Sequence, residues 1–105
     1  MPQPVVILST CGSIEAADRI AVSLVEKHLA ACVSFIEGAK STYRWQGKVS
    51  KENEILLVIK TVAGRTEEIK RVLKEISGYE VPEVICIDIT GGSKEYIDWL
   101  IAETK

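Results

Sequence analysis

Glu54-Ile55-Leu56-Leu57-Val58-Ile59-Lys60-Thr61 sets five aliphatic residues in a row between polar ends. A run this short, rich in branched side chains and without alternation, reads as a strand that is apolar on both faces. Val5-Val6-Ile7-Leu8-Ser9-Thr10 repeats the pattern upstream. Downstream, Val84-Ile85-Cys86-Ile87-Asp88-Ile89 repeats it again, in a strand that begins at Val81-Pro82-Glu83 with Pro82 confined to its first residues. Cys32-Val33-Ser34-Phe35-Ile36 is a further strand, interrupted at Gly38. Ser41-Thr42-Tyr43-Arg44-Trp45-Gln46 then alternates polar with aromatic residues, and Gln46-Gly47-Lys48 reads as the hairpin turn that returns the chain towards Glu54.

Helical spacing fills the gaps between these runs. Ser13 is a plausible N-cap with Glu15 in the first turn, and Ile14, Ala17, Ile20 or Ala21, Leu24 and Val25 recur at helical spacing to about Leu29. Gly64 and Thr66 open a second helix with Ile69, Val72, Leu73 and Ile76 inward and Gly78 at the C′ position. Ser93 caps a third, with Tyr96, Ile97, Leu100 and Ile101 on one stripe. The resulting order is βαββαβ with an extra C-terminal helix. That predicts an α+β, ferredoxin-like split sandwich, an antiparallel sheet carrying both crossover helices on one face. The strands are nevertheless apolar on both faces, and the last helix can cover only part of the second one. Oligomerisation through the open face and the sheet edges is the physical expectation.

Composition agrees. The 105 residues fit one domain, 1–105, and 47% are hydrophobic while only 6% are aromatic. Mean hydropathy is +0.14 at a mass of 11.6 kDa, a high aliphatic share for so small a body. A net charge of −2 argues against a general nucleic-acid binder. No stretch approaches the roughly 20 apolar residues of a membrane span. Met1-Pro2-Gln3-Pro4 lacks the basic region of a secretory signal. Three cysteines, Cys11, Cys32 and Cys86, cannot all pair within one chain, so a reduced, cytoplasmic protein is expected.

No complete catalytic constellation is visible. Cys11 lies beside a helix N-terminus, where a thiol pKa can fall, but a small buried residue at a tight turn accounts for it better. His28, the only histidine, belongs to a helix end. Cys-x-x-Cys and His-x-x-x-His pairs are absent, and Glu37, Glu54, Glu80, Glu83 and Asp88 near strand ends leave only a weak hard-cation signal. Lys40, Arg44, Lys48 and Lys51 interleave with Tyr43 and Trp45. Such a pattern can grip single strands, but it reads better as a long hairpin packing its aromatics on a neighbouring subunit.

Taken in order, Leu29-Ala30-Ala31-Cys32, Ser41-x-Tyr43-x-Trp45-x-Gly47-Lys48, Glu54 through Lys60-Thr61, Tyr79-x-Val81-Pro82-Glu83 and Tyr96-x-x-Trp99-Leu100 resemble the CutA divalent-cation-tolerance family over nearly the whole chain. The resemblance implies a homotrimer of PII-like architecture, in which the hairpin reaches across to neighbours. It also implies a role in divalent-metal tolerance, with copper binding in some members, and no established enzymatic reaction. In animals the family is associated with acetylcholinesterase maturation. The proposed copper ligands are a first-strand cysteine and histidines before the tyrosine. Here those positions read Ser9 and Ile76-Ser77-Gly78, which offer nothing to a soft metal. No cofactor is therefore required, and copper binding by that route is not expected.

The resemblance places a candidate ligand site in an intersubunit cleft lined by Tyr43, Trp45, Glu54, Lys60, Glu83, Tyr96 and Trp99. Glu54 and Lys60 would supply charge and the aromatics a water-excluding wall. The same residues would serve as interface packing with a satisfied ion pair. Three functional classes follow: a non-enzymatic metal-response or PII-like small-molecule sensor, a scaffold for a protein partner, and an enzyme for which no nucleophile or acid–base pair can be named.

Overall fold

The computed structural model describes residues 2–105. Strand β1 spans Pro4–Cys11, helix α1 Ile14–Glu26, strand β2 Cys32–Trp45 and strand β3 Lys48–Val62. A short 3-10 turn leads into helix α2, Thr66–Ile76, followed by strand β4, Ile85–Asp88, and helix α3, Lys94–Glu103. The four strands form one antiparallel sheet in the order β2-β3-β1-β4, the ferredoxin-like order expected from βαββαβ.

The strand alternation explains the layers. Val5, Ile7, Leu57 and Ile59 are fully buried and meet Ala17, Ile20, Leu24, Ile69 and Leu73 of α1 and α2 in a single core. Their neighbours in sequence point the other way. Val6, Leu8, Leu56 and Val58 are only half-buried, although each is as apolar as its core counterpart. Directly opposed residues share a face, so Ile36 beside Leu56, Ile85 beside Leu8 and Ile87 beside Val6 extend this second surface to both edges. Ile36, Ile85 and Ile87 are each about half exposed. Helix α3 packs Leu100 against Val62 and Ala31 and covers only that end.

Local signals placed the helix starts. Ser13 accepts the Ala16 N–H at 3.1 Å, and Ser93 accepts that of Tyr96 at 3.3 Å. The end of α1 differs from expectation: it stops at Glu26 rather than near Leu29. His28 adopts φ +59°, its N–H reaching Val25 O while Leu29 N–H reaches Leu24 O. This is a Schellman closure with histidine in the place usually taken by glycine.

Two strands also differ from the sequence reading. The Cys32 and Ser41 segments are one strand, because Gly38 at φ +87° absorbs an extra residue between Ile36 and Ala39 as a β-bulge. The last strand pairs only over Ile85–Asp88, not from Val81. Pro82 has no N–H for a ladder, and residues 81–84 stand outside the β1–β4 pairing. Beyond Cys11 the sheet narrows to β2 and β3 alone, a two-stranded arm that stretches the molecule to 44 × 25 × 23 Å. Its turn sits at Gln46 and Gly47, with φ +50° and +80°.

Candidate functional site

Glu54 stands where β3 leaves β1, one residue beyond the Cys11–Ile55 pair. The loop from α2 to β4 crosses this point, and Tyr79 donates its hydroxyl to Glu54 Oε2 at 2.8 Å. Lys74 Nζ steadies the same loop by donating to the Glu80 carbonyl. Burial raises the Glu54 pKa, but hydrogen bonds from Ser41, Tyr79 and Thr10 outweigh it and hold the carboxyl below its ordinary value. The Tyr79 phenol moves the opposite way, pushed up first by burial and then by donating to the Glu54 carboxylate beside it. Tyr43 is likewise raised, chiefly through its hydrogen bond to Glu52.

Between the arm and this loop lies an open cleft of about 510 Å³. Its aromatic wall is Tyr43, Trp45 and Tyr79. Its carboxylates are Glu52 and Glu54 from β3 and Glu80 and Glu83 from the loop. Among the described residues no basic side chain lines it. Alternation on the arm explains the sorting. Tyr43 opposes Ser50 and Ser41 opposes Glu52, so these share one face, while Lys40 opposite Asn53 and Thr42 opposite Lys51 occupy the other.

The structure therefore brings together Tyr43, Trp45, Glu54 and Glu83, four of the seven residues singled out from sequence. The other three stand elsewhere. Lys60 lies six positions along β3 from Glu54, roughly 20 Å away at the strand rise. Its ammonium donates to Ser34 Oγ at 2.9 Å and touches Cys32 Sγ at 3.5 Å, so it forms no pair with Glu54. Tyr96 and Trp99 sit one turn apart on α3, their ring centres 5.4 Å from each other, and line no part of the cleft. Sequence reasoning did not place Tyr79, Glu52 or Glu80 in the cleft, although it named Glu80 among the carboxylates near strand ends. The signal for Tyr79 was present: a tyrosine directly after a helix-ending glycine, Gly78 at φ +81°, inside a quoted motif.

The cysteines are free, and no group of three or more His, Cys, Asp or Glu side chains among the described residues converges to hold a metal ion. Cys11 is fully buried, and burial pushes its thiol pKa up, the reverse of a thiolate ligand. Ser9 is also fully buried, with its hydroxyl unpartnered. Ile76 and Ser77 close α2 and carry no soft donor. The donor set of one chain does not fit a copper or zinc centre.

A ferredoxin-like chain with an extended two-stranded arm and a largely bare apolar sheet face defines a class of small α+β proteins. Residues 5–103 match the family described as CutA1 divalent ion tolerance protein. The "Divalent-cation tolerance protein CutA" of Thermus thermophilus is 43% identical over 94% of this chain and 96% of its own length. The solved Cut A1 structure from that organism superposes with a TM-score of 0.94 at 42% identity, covering 97% of this chain and 99% of the other. "Protein CutA, chloroplastic" of Arabidopsis thaliana is 41% identical over 96% of this chain, which spans 56% of the plant protein. The chain belongs to the CutA divalent-cation-tolerance family.

Proposed function

We propose that the protein is a non-enzymatic homotrimer that serves divalent-cation tolerance by binding, with the cleft beneath the arm as its site, set where subunits meet. The observation that carries this reading is the uncovered sheet face. Val6, Leu8, Ile36, Leu56, Val58, Ile85 and Ile87 form an apolar surface that their own chain covers only in part. Burying such a side chain completely from water yields about 1.5–3 kcal/mol, and covering the part still exposed recovers a fraction of that at each position. A second copy is the natural cover, and the arm is long enough to reach past the subunit's own sheet.

The titratable groups support binding over catalysis. A general base needs a pKa raised towards neutrality and a nucleophilic thiol needs one lowered towards it. Glu54 is shifted down and Cys11 up, both away from neutrality. The free cysteines suit a reducing compartment, and we place the protein in the cytoplasm on that ground. No helix among the described residues is long and apolar enough to cross a membrane. A partner-binding scaffold is the second reading, favoured by Tyr96 and Trp99, which stay 44% and 43% exposed outside the cleft.

Light scattering tests the assembly: a trimer gives about 35 kDa, three times 11.6 kDa. Val58→Glu places a charge in the middle of the bare face and should yield monomers. A wild-type monomer at micromolar concentration would overturn the reading. Calorimetric titration with copper, zinc and organic ligands tests binding, and silence across all of them would leave the scaffold reading in its place.

A further inference from the structure

The cleft has a chemical character that metal tolerance does not describe. Among the described residues four carboxylates line it and no ammonium or guanidinium does, and Lys48, opposite Trp45 at the tip of the arm, is the one basic side chain of the arm on that face, so nucleotides and other anions would meet largely uncompensated negative charge. Glu54 accepts the Tyr79 hydroxyl at 2.8 Å, and its carboxyl is held below its ordinary pKa. The carboxylates do not converge, however. No three of them stand close enough together to share a metal ion. They are spread around a space of about 510 Å³, within the range of small-molecule sites.

The rest of the wall is aromatic. Tyr43 and Trp45 stand side by side on one strand face with 36% and 40% of their surface exposed, and Tyr79 faces them from the loop. Ring faces attract cations, more so as water is displaced, and they also accept the CH groups of an alkyl chain. Dispersed negative charge with aromatic faces suits a cation larger than a metal ion, one with carbon attached to its charge.

We propose that this cleft binds an organic cation, an alkylammonium compound whose charge faces Glu54 and its neighbours and whose carbon groups lie on Tyr43 and Trp45. The inference rests on the reading of the cleft as the binding site and names the ligand class. The ammonium could belong to a free amine or to a lysine of a second copy, and the experiment separates the two.

Trp45 and Trp99 are the only tryptophans, so Trp99→Phe leaves Trp45 as a reporter inside the cleft. Titration of that variant with 1,4-diaminobutane and with tetraethylammonium should change Trp45 emission saturably. Butanol and ATP should not, and calorimetry on the unmodified protein should give the same affinity. Glu54→Gln should weaken binding about tenfold. Because Glu54 also ties the loop, the exposed-loop pair Glu80→Gln/Glu83→Gln provides a variant that spares that tie, and it should weaken binding as well. Saturable binding of ATP or butanol in place of the amines would keep the site and overturn the ligand class. No response to any probe from a solvent-accessible Trp45 would overturn the site itself. A Trp45 already shielded in the assembly, exposed and made amine-responsive only when the arm lysines Lys40, Lys48 and Lys51 are changed to Gln, would assign the ammonium to a second copy and overturn the free amine.

Discussion

Removing the Tyr79 hydroxyl should cost stability at neutral pH and much less in acid. Tyr79→Phe keeps the ring in place and deletes the donor that Glu54 accepts at 2.8 Å. A hydrogen bond to a charged group contributes about 1.5–3 kcal/mol, and because both partners are partly exposed the expected loss is nearer ~1 kcal/mol. For a domain of this size that lowers Tm by about 4–8 °C, compared at equal protein concentration because assembly adds to apparent stability. The pH dependence carries the test. With its folded pKa below the ordinary 4.5, Glu54 contributes stability that is present above that value and lost as pH falls through the folded pKa. Once the carboxyl is protonated the bond is neutral, and the gap between wild type and variant should narrow to roughly 0.5 kcal/mol. Thermal melts at pH 7 and at a pH low enough to protonate Glu54 in the folded protein measure both quantities. An equal gap at the two pH values, or none at pH 7, would refute the assignment of Glu54 as the charged acceptor that ties the loop to the arm.

Three further outcomes are expected. Ser9→Ala removes a buried hydroxyl that has no partner, so urea unfolding should show it neutral or stabilising by about 1 kcal/mol. Gln46→Asn should raise the unfolding midpoint by a few tenths of a kcal/mol, since φ is +50° there and +80° at Gly47, and asparagine tolerates that conformation better. Leu73→Ala empties a fully buried position between α2 and the sheet and should cost about 2–5 kcal/mol, read as a lower urea midpoint.

What could be read from sequence was what is decided locally. The serine caps, the apolar stripes of α1 and α2 and the doubly apolar strands each follow from residues within a few positions of one another. The excess of aliphatic residues correctly located a second apolar face. The end of α1 was misjudged because histidine rarely takes the left-handed turn that His28 adopts. The cleft was only half legible. Tyr43, Trp45 and Glu54 reach it by strand alternation, whereas Tyr79 and Glu80 arrive through a loop whose path across the sheet end is a tertiary fact. Lys60 and Glu54 share strand and parity, and that suggested a pair which the length of the strand rules out.

The bulge between Ile36 and Ala39 decides more than the bend of the arm. Up to Ile36 the β2 register pairs residue 36 with 56, and after the extra residue it pairs 39 with 54. Carrying the first register onward would set Lys40 opposite Glu52 and Thr42 opposite Ser50. Lys40 and Arg44 would then share a side with Glu52 and Glu54, and Tyr43 and Trp45 would face away. One unpaired residue thus turns Tyr43 and Trp45 towards the carboxylates and Lys40 and Arg44 away from them. Deleting Gly38 would exchange the two faces of β2 beyond the bulge, trading the aromatic wall for Lys40 and Arg44 and setting two further positive charges against the four carboxylates of the cleft.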